Sequence, residues 1–203
     1  MKRNALLVLT LVVATSVLSQ GIEAADLAQG DEGTIATLYA LDATTSHLSL
    51  NDGMPGAVVQ DHLTFNRDSQ LSFDTYSKDS FRVGIQGGEV GAIVDLGDDD
   101  ALKARYGYKE TVGNVQGFTS IHMEGGTAVV VKDYNARQFQ PLKEFAELDR
   151  KRPDANTARV IVGHMYLVRI SRRERRDSTH LHAKLKVLAY VPGQYVTIRW
   201  SRL

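Results

Sequence analysis

The chain has 203 residues, with 24 Lys+Arg set against 24 Asp+Glu, 43% hydrophobic residues and no cysteine. That length holds one globular domain, and the composition is too apolar for wholesale disorder and too mixed for a low-complexity polymer. The missing thiol excludes disulfide frameworks, zinc ribbons, thiolate clusters and cysteine nucleophiles.

Lys2 and Arg3 precede an apolar run from Ala5 to Leu18, and small residues follow up to Ala24 and Ala25. The run is shorter than the roughly 20 residues a membrane-spanning helix needs, so residues 1–25 read as a signal peptide removed after Ala24 or Ala25. Residues 26–203 then form a single β-rich domain, with no later stretch of membrane-spanning length. The chain carries no cysteine for a lipid anchor and no Asn-x-Ser/Thr acceptor. An exported bacterial protein, periplasmic or extracellular, is the expectation.

Two-residue alternation of apolar and polar side chains predicts strands along most of the domain. Thr34 to Leu41, His47 to Leu50 and Ala57 to Phe65 are candidates, the latter two separated by the turn cluster Asn51 to Gly56. Leu71, Phe73 and Thr75 alternate with Ser72, Asp74 and Tyr76, and Phe81, Val83 and Ile85 with Arg82, Gly84 and Gln86. Gly87-Gly88 predicts a hairpin whose return strand is Val90 to Leu96, because paired glycines accept the positive φ angles of tight reversals. The same grammar recurs at Phe118 to Met123, Gly125-Gly126 and Ala128 to Asp133, through duplication or through convergence of two hairpins.

Two short helices interrupt the strands. Asp98-Asp99-Asp100 ahead of Ala101 to Arg105 places acids at a helix start, with Gly107 as the stop. Pro141 to Arg152 puts Leu142, Phe145 and Ala146 on one face. Ala158 to Ile170 follows as one long strand or two strands broken at Gly163, then Leu181 to Tyr190 and Tyr195 to Trp200. Along the middle one, Leu181, Ala183, Leu185 and Val187 face one way and His180, His182, Lys184 and Lys186 the other. A core face and a wet face predict a mainly β fold, an antiparallel sandwich or flattened barrel of about ten strands with two short helices.

Charge is strongly divided along the chain. Residues 26–149 hold nine Lys+Arg and twenty Asp+Glu, a net of −11, while residues 150–203 hold thirteen and three, a net of +10. Either the basic strands lie beside acidic ones and neutralise them, or they form a separate positive face for an anionic partner. The binding candidates are Arg172, Arg173, Arg175 and Arg176, whose planar forks suit phosphate, sulfate or carboxylate, extended along the sheet by Lys184 and Lys186. An anionic glycan or lipid headgroup fits an exported protein better than nucleic acid, for which only Tyr166, Tyr190, Tyr195 and Trp200 offer stacking surface nearby.

No segment carries a motif specific enough to name a family, and no catalytic nucleophile or cofactor motif is present. The leading expectation is a non-catalytic binding or structural module. His180 and His182 share a strand face and could ligate a metal or haem if His164 completed the set, although the neighbouring lysines oppose a cation. Asp95, Asp98, Asp99 and Asp100 could hold calcium but suit helix capping better. Asp74 with Glu89 is the kind of carboxylate pair a glycan hydrolase would need, with nothing in the sequence to fix their separation.

Overall fold

A computed structural model describes residues 33–42, 45–54, 69–75, 77–84, 89–108, 117–133, 136–150, 155–173 and 178–203. All of them belong to one compact unit, Asp31–Leu203. The leader, the candidate strand Ala57 to Phe65 and the Gly87-Gly88 reversal lie outside the described residues.

The alternating segments do form strands: β1 (Thr34–Tyr39), β2 (His47–Leu48), β3 (Leu71–Phe73), β4 (Ser80–Val83), β5 (Glu89–Gly97), β6 (Ile121–Glu124), β7 (Thr127–Asp133), β8 (Gln138–Pro141), β9 (Thr157–Arg159), β10 (Met165–Arg173), β11 (Ser178–Val191) and β12 (Tyr195–Arg202). They build a five-stranded sheet of order β1-β12-β11-β10-β5, a four-stranded sheet β2-β3-β4-β9 and a three-stranded sheet β6-β7-β8, with antiparallel pairing throughout. Among the described residues no sheet closes into a barrel, so the fold is mainly β and sandwich-like.

Both helices form. Helix α1 (Asp99–Tyr106) starts because the Asp98 carboxylate accepts from Ala101 N at 2.8 Å, and it stops where Gly107 adopts φ 63° and its N–H returns to the Lys103 carbonyl. Helix α2 (Lys143–Arg150) follows Pro141, which ends β8 rather than entering the helix. Its buried face is Leu142, Phe145 and Leu148, whereas Ala146, expected inward, is exposed.

The central five-stranded sheet buries both faces. On one, Tyr166, Val168, Ile170, Leu185, Val187, Val196, Ile198 and Trp200 meet Leu48, Leu71, Phe73, Phe81 and Val83 of the four-stranded sheet. On the other, Ala92, Val94, Met165 and Leu167 meet Leu102 and Tyr106 of α1, Phe145 and Leu148 of α2, and Ile121, Ala128 and Val130 of the three-stranded sheet. A third layer thus covers the face of β11 that its polar alternation had marked as wet.

The two glycine pairs play different parts. Gly125 and Gly126, at φ 56° and 80°, join Glu124 to Thr127 in a two-residue hairpin as expected. The strands flanking Gly87-Gly88 do not pair: β4 belongs to the four-stranded sheet and β5 to the five-stranded one, where its partner is β10. The sheets touch there backbone to backbone, since a Cβ on Gly84 would lie 2.0 Å from Gly91 N and one on Gly91 would lie 2.4 Å from the Val83 carbonyl carbon. Val83 N donates to Asn156 O and Ile93 N to Ala155 O, each at 2.9 Å, stitching the same corner. Gly91→Ala should therefore wedge the sheets apart and lower the unfolding free energy by roughly 1–3 kcal/mol. A chemical denaturation midpoint equal to that of the parent would remove this contact from the account.

Three buried or bonded tyrosines tie the layers. Burial first, then a hydrogen bond to Glu144, pushes Tyr106 up to about 12 from an ordinary 10.0. Burial and the Asp79 carboxylate likewise push Tyr190 up to about 12. Tyr166, whose hydroxyl donates to Arg159 O at 2.8 Å and accepts from Ile161 N at 3.1 Å, is raised chiefly by burial. A raised tyrosine favours the fold in its neutral form, so this contribution is complete below pH about 10 and is lost as pH climbs through about 12. Ultraviolet phenolate titration should show these groups ionising late and together with unfolding; ordinary ionisation of all eight tyrosines near pH 10 in folded protein would contradict it.

Candidate functional site

Lys184 and Lys186, expected on an exposed basic stripe, are buried, with only 1% and 8% of their surfaces accessible. Lys184 Nζ donates to the carbonyls of Phe118 and Ile121, each at 2.9 Å, and lies 4.4 Å from the centre of the Phe118 ring. Lys186 donates to Asp99 of α1. The correction has a simple cause: an alternating strand shows which residues share a face but not whether another layer covers it. Neither lysine extends a surface patch, and Lys186 with Asp99 is one place where the acidic and basic halves of the chain neutralise each other.

His180 and His182 do share that face, with ring centres 6.3 Å apart. His180 is exposed and bonded to Ser171 Oγ at 2.9 Å, while His182 packs against the Phe145 ring at 4.8 Å. His164 cannot join them: it precedes Met165, which pairs with Lys186, and its Nδ1 lies 3.0 Å from Asp95. No group of three or more His, Asp or Glu suited to a metal occurs among the described residues.

The acidic group is engaged locally. Asp95 meets His164 and Gly97 N, Asp98 caps α1, and Asp99 binds Lys186. Asp74 and Glu89 lie at opposite ends of β3: Asp74 follows the strand and accepts from Asp79 N at 2.6 Å, whereas Glu89 shares a cleft with Gln70, which precedes it.

The arginine segment grows from the β10–β11 hairpin. Arg172 and Arg173 end β10 opposite Thr179 and Ser178, and Arg172 also stands opposite Glu89 of β5. The side chains of Arg172 and Arg173, and all of Arg175 and Arg176, lie outside the described residues.

At the root of this hairpin the two facing sheets leave an open cleft of about 140 Å³, lined by Asn51, Gln70, Glu89, Ile170, His180, Leu181 and Arg202. Strand alternation puts Glu89, Ile170, Leu181 and Arg202 toward the four-stranded sheet, and His180 at the rim, with its ring on the opposite face beside His182. Glu89 is buried, Arg202 is exposed, and Gln70 is fixed by Leu50 N, which donates to its Oε1 at 2.8 Å. The lining combines the apolar Ile170 and Leu181 with one acid, one guanidinium, two amides and an imidazole. Asn51, Gln70 and Arg202 were not foreseen, because they come from three distant segments and none belongs to a local motif; the only signal was the register of β10, β11 and β12.

No helix among the described residues is long and apolar enough to cross a membrane. No family model, curated protein or solved structure matches the chain. The class is therefore defined by fold alone, an antiparallel sandwich with a third layer.

Lys184→Met should lower the unfolding free energy by about 1–3 kcal/mol, because it leaves two buried carbonyls without their donor. Urea unfolding of the purified variant reads this directly, and an unchanged midpoint would mean that the carbonyls find another donor.

Proposed function

We propose that the protein is an exported, non-catalytic binding module of the bacterial envelope or exterior, taking an anionic ligand at the root of the Arg172 to Arg176 hairpin. The observation that carries the reading is the cleft lined by Arg202, Gln70, Asn51 and Glu89 beside that hairpin. An exposed guanidinium at its mouth offers two parallel N–H donors to a carboxylate, sulfate or phosphate. The charges of Arg172, Arg173, Arg175 and Arg176 add a positive field that concentrates the same ligands from solution. The basic set is thus smaller than the sequence implied, since Lys184 and Lys186 are occupied inside the fold.

An electrostatic contact must weaken as ions screen it, the Debye length shrinking from about 30 Å at 0.01 M salt to about 3 Å at 1 M. The purified protein should therefore bind an acidic polysaccharide at low salt and release it at high salt. A variant with Arg172, Arg173, Arg175, Arg176 and Arg202 all changed to Ser should bind at least tenfold more weakly. Binding that ignores both salt and these arginines would refute the reading.

A further inference from the structure

The third layer does not reach across the whole five-stranded sheet. It covers β5, β10 and the lysines of β11, and no residue of β1 or β12 enters the apolar core beneath it. Past that cover, Ile35 and Tyr39 of β1 point outward with 56% and 50% of their surfaces accessible, Tyr39 tilting against Tyr195 at 6.3 Å.

The edge of β1 is bare as well. Ala40 N donates to Gln194 O at 2.7 Å, on the β12 side, whereas Tyr39 N turns the other way and donates to Thr45 O at 3.1 Å. By alternation the N–H and C=O groups of Ile35 and Thr37 also point away from β12, and among the described residues nothing pairs with them. Sheets protect such edges with charge, proline or a bulge, and Thr34–Tyr39 has none of these. On the far side of the sheet, β5 is bonded by Ala155, whose carbonyl accepts from Ile93 N at 2.9 Å.

We propose that β1 is the docking edge of a weak homodimer, in which a second copy of the chain adds its own β1 antiparallel and joins two five-stranded sheets into one of ten. The open groups are main-chain donors and acceptors, which another strand satisfies in full. The β-branched Thr34, Ile35 and Thr37 favour the extended state, so each copy offers what the other lacks. Thr45 already fills the position beside Tyr39, and the pairing must end before it. A two-fold axis at Ile35 meets this condition. Ile35 exchanges both main-chain bonds with its copy, Thr37 faces Gly33, and Gly33, at φ 67°, ends the extended run short of Thr45. The exposed Ile35 side chains then cover each other. The two Arg199, each opposite Ile35 on β12, stand three strand spacings apart, roughly 14 Å, beyond the ~8 Å Debye length of physiological salt.

Area sets the strength. Pairing limited to Gly33 through Thr37 buries far less than the roughly 800 Å² per partner of a standard interface, so the dimer forms where the chain is concentrated.

Sedimentation velocity of the intact protein from about 10 µM to about 1 mM tests this, with a monomer–dimer midpoint expected on the order of 100 µM. Ile35→Lys brings two charges together at the axis without touching the core and should raise the midpoint at least tenfold. Thr37→Pro removes a main-chain donor that points away from β12 and should do the same. Because the chain has no cysteine, Ile35→Cys reads the register: the paired Cα atoms stand about 5.5 Å apart, within disulfide reach. The two Tyr39 lie four residues to either side of the axis, roughly 27 Å apart. Mild oxidation should therefore cross-link Ile35→Cys at least tenfold faster than Tyr39→Cys. A protein that stays monomeric at the highest concentration would overturn the proposal. So would self-association that ignores Ile35→Lys, growth beyond a dimer, or equal cross-linking of the two cysteine variants.

Discussion

The buried ammonium of Lys184 fixes how the layers of this fold meet. A lysine can be taken out of water only where donors find acceptors, and the turn at 117–121 supplies two carbonyls and an aromatic face. Because the carbonyls belong to one turn and the lysine to one position of the central strand, any slip of the third layer along the sheet would strand the charge. Two residues along the same face, Lys186 reaches Asp99, and Gly117 of the turn lies so close to Asp99 that a Cβ there would meet its Oδ1 at 2.3 Å. Tyr108 closes the corner by donating to the Asp99 carbonyl at 3.1 Å. The polar contacts thus specify a register that the apolar core between these layers would leave loose.

This arrangement also accounts for the division of charge along the chain. The basic strands β10 to β12 supply the middle sheet, and the acidic half supplies what lies over its second face, so a helix N-terminus rich in aspartate comes to rest on lysine. The His164–Asp95 pair repeats the theme at the exposed edge of the same sheet. Pairs near the surface contribute little stability each. Their arrangement matters more as a way for a sheet with cationic side chains on one face to accept a cover at all.

Fold class, most strand positions and both helices were legible in the sequence because each rests on a local signal: alternation, an Asp N-cap before Ala101, glycine at Gly107 and at Gly125-Gly126. The burial of Lys184 and Lys186 was not legible. In that stretch the polar positions carry the same residue types as a wet face, and the cover over the two lysines comes from Phe118 and Ile121 for Lys184 and from Asp99 for Lys186, all more than sixty residues away. The Gly87-Gly88 segment shows the same boundary. Its composition fits a hairpin, but the flanking β4 and β5 join different sheets, a choice made by long-range partners β9 and β10. Two segments with matching grammar therefore have unlike topologies, which takes away the structural support for a duplication.

The cleft follows from that second choice. Had β4 and β5 paired as a hairpin, Gln70 and Glu89 would belong to one continuous sheet and face the same side or opposite sides of it. Since the chain instead changes sheets between Gly84 and Gly91, the sheets meet at backbone distance there, a contact closer than any pair of side chains allows. Farther along, side chains as large as Phe73, Phe81 and Tyr166 hold them apart, with Phe81 and Tyr166 meeting edge to face at 5.6 Å. A sandwich pinched at one corner and propped open by aromatics in its middle must leave its packing incomplete beside the pinch. Polar residues border that gap, and Arg172, near the end of β10, stands opposite Glu89 beside it. The glycines that make the pinch therefore shape the cleft as much as Glu89 and Arg202, which line it.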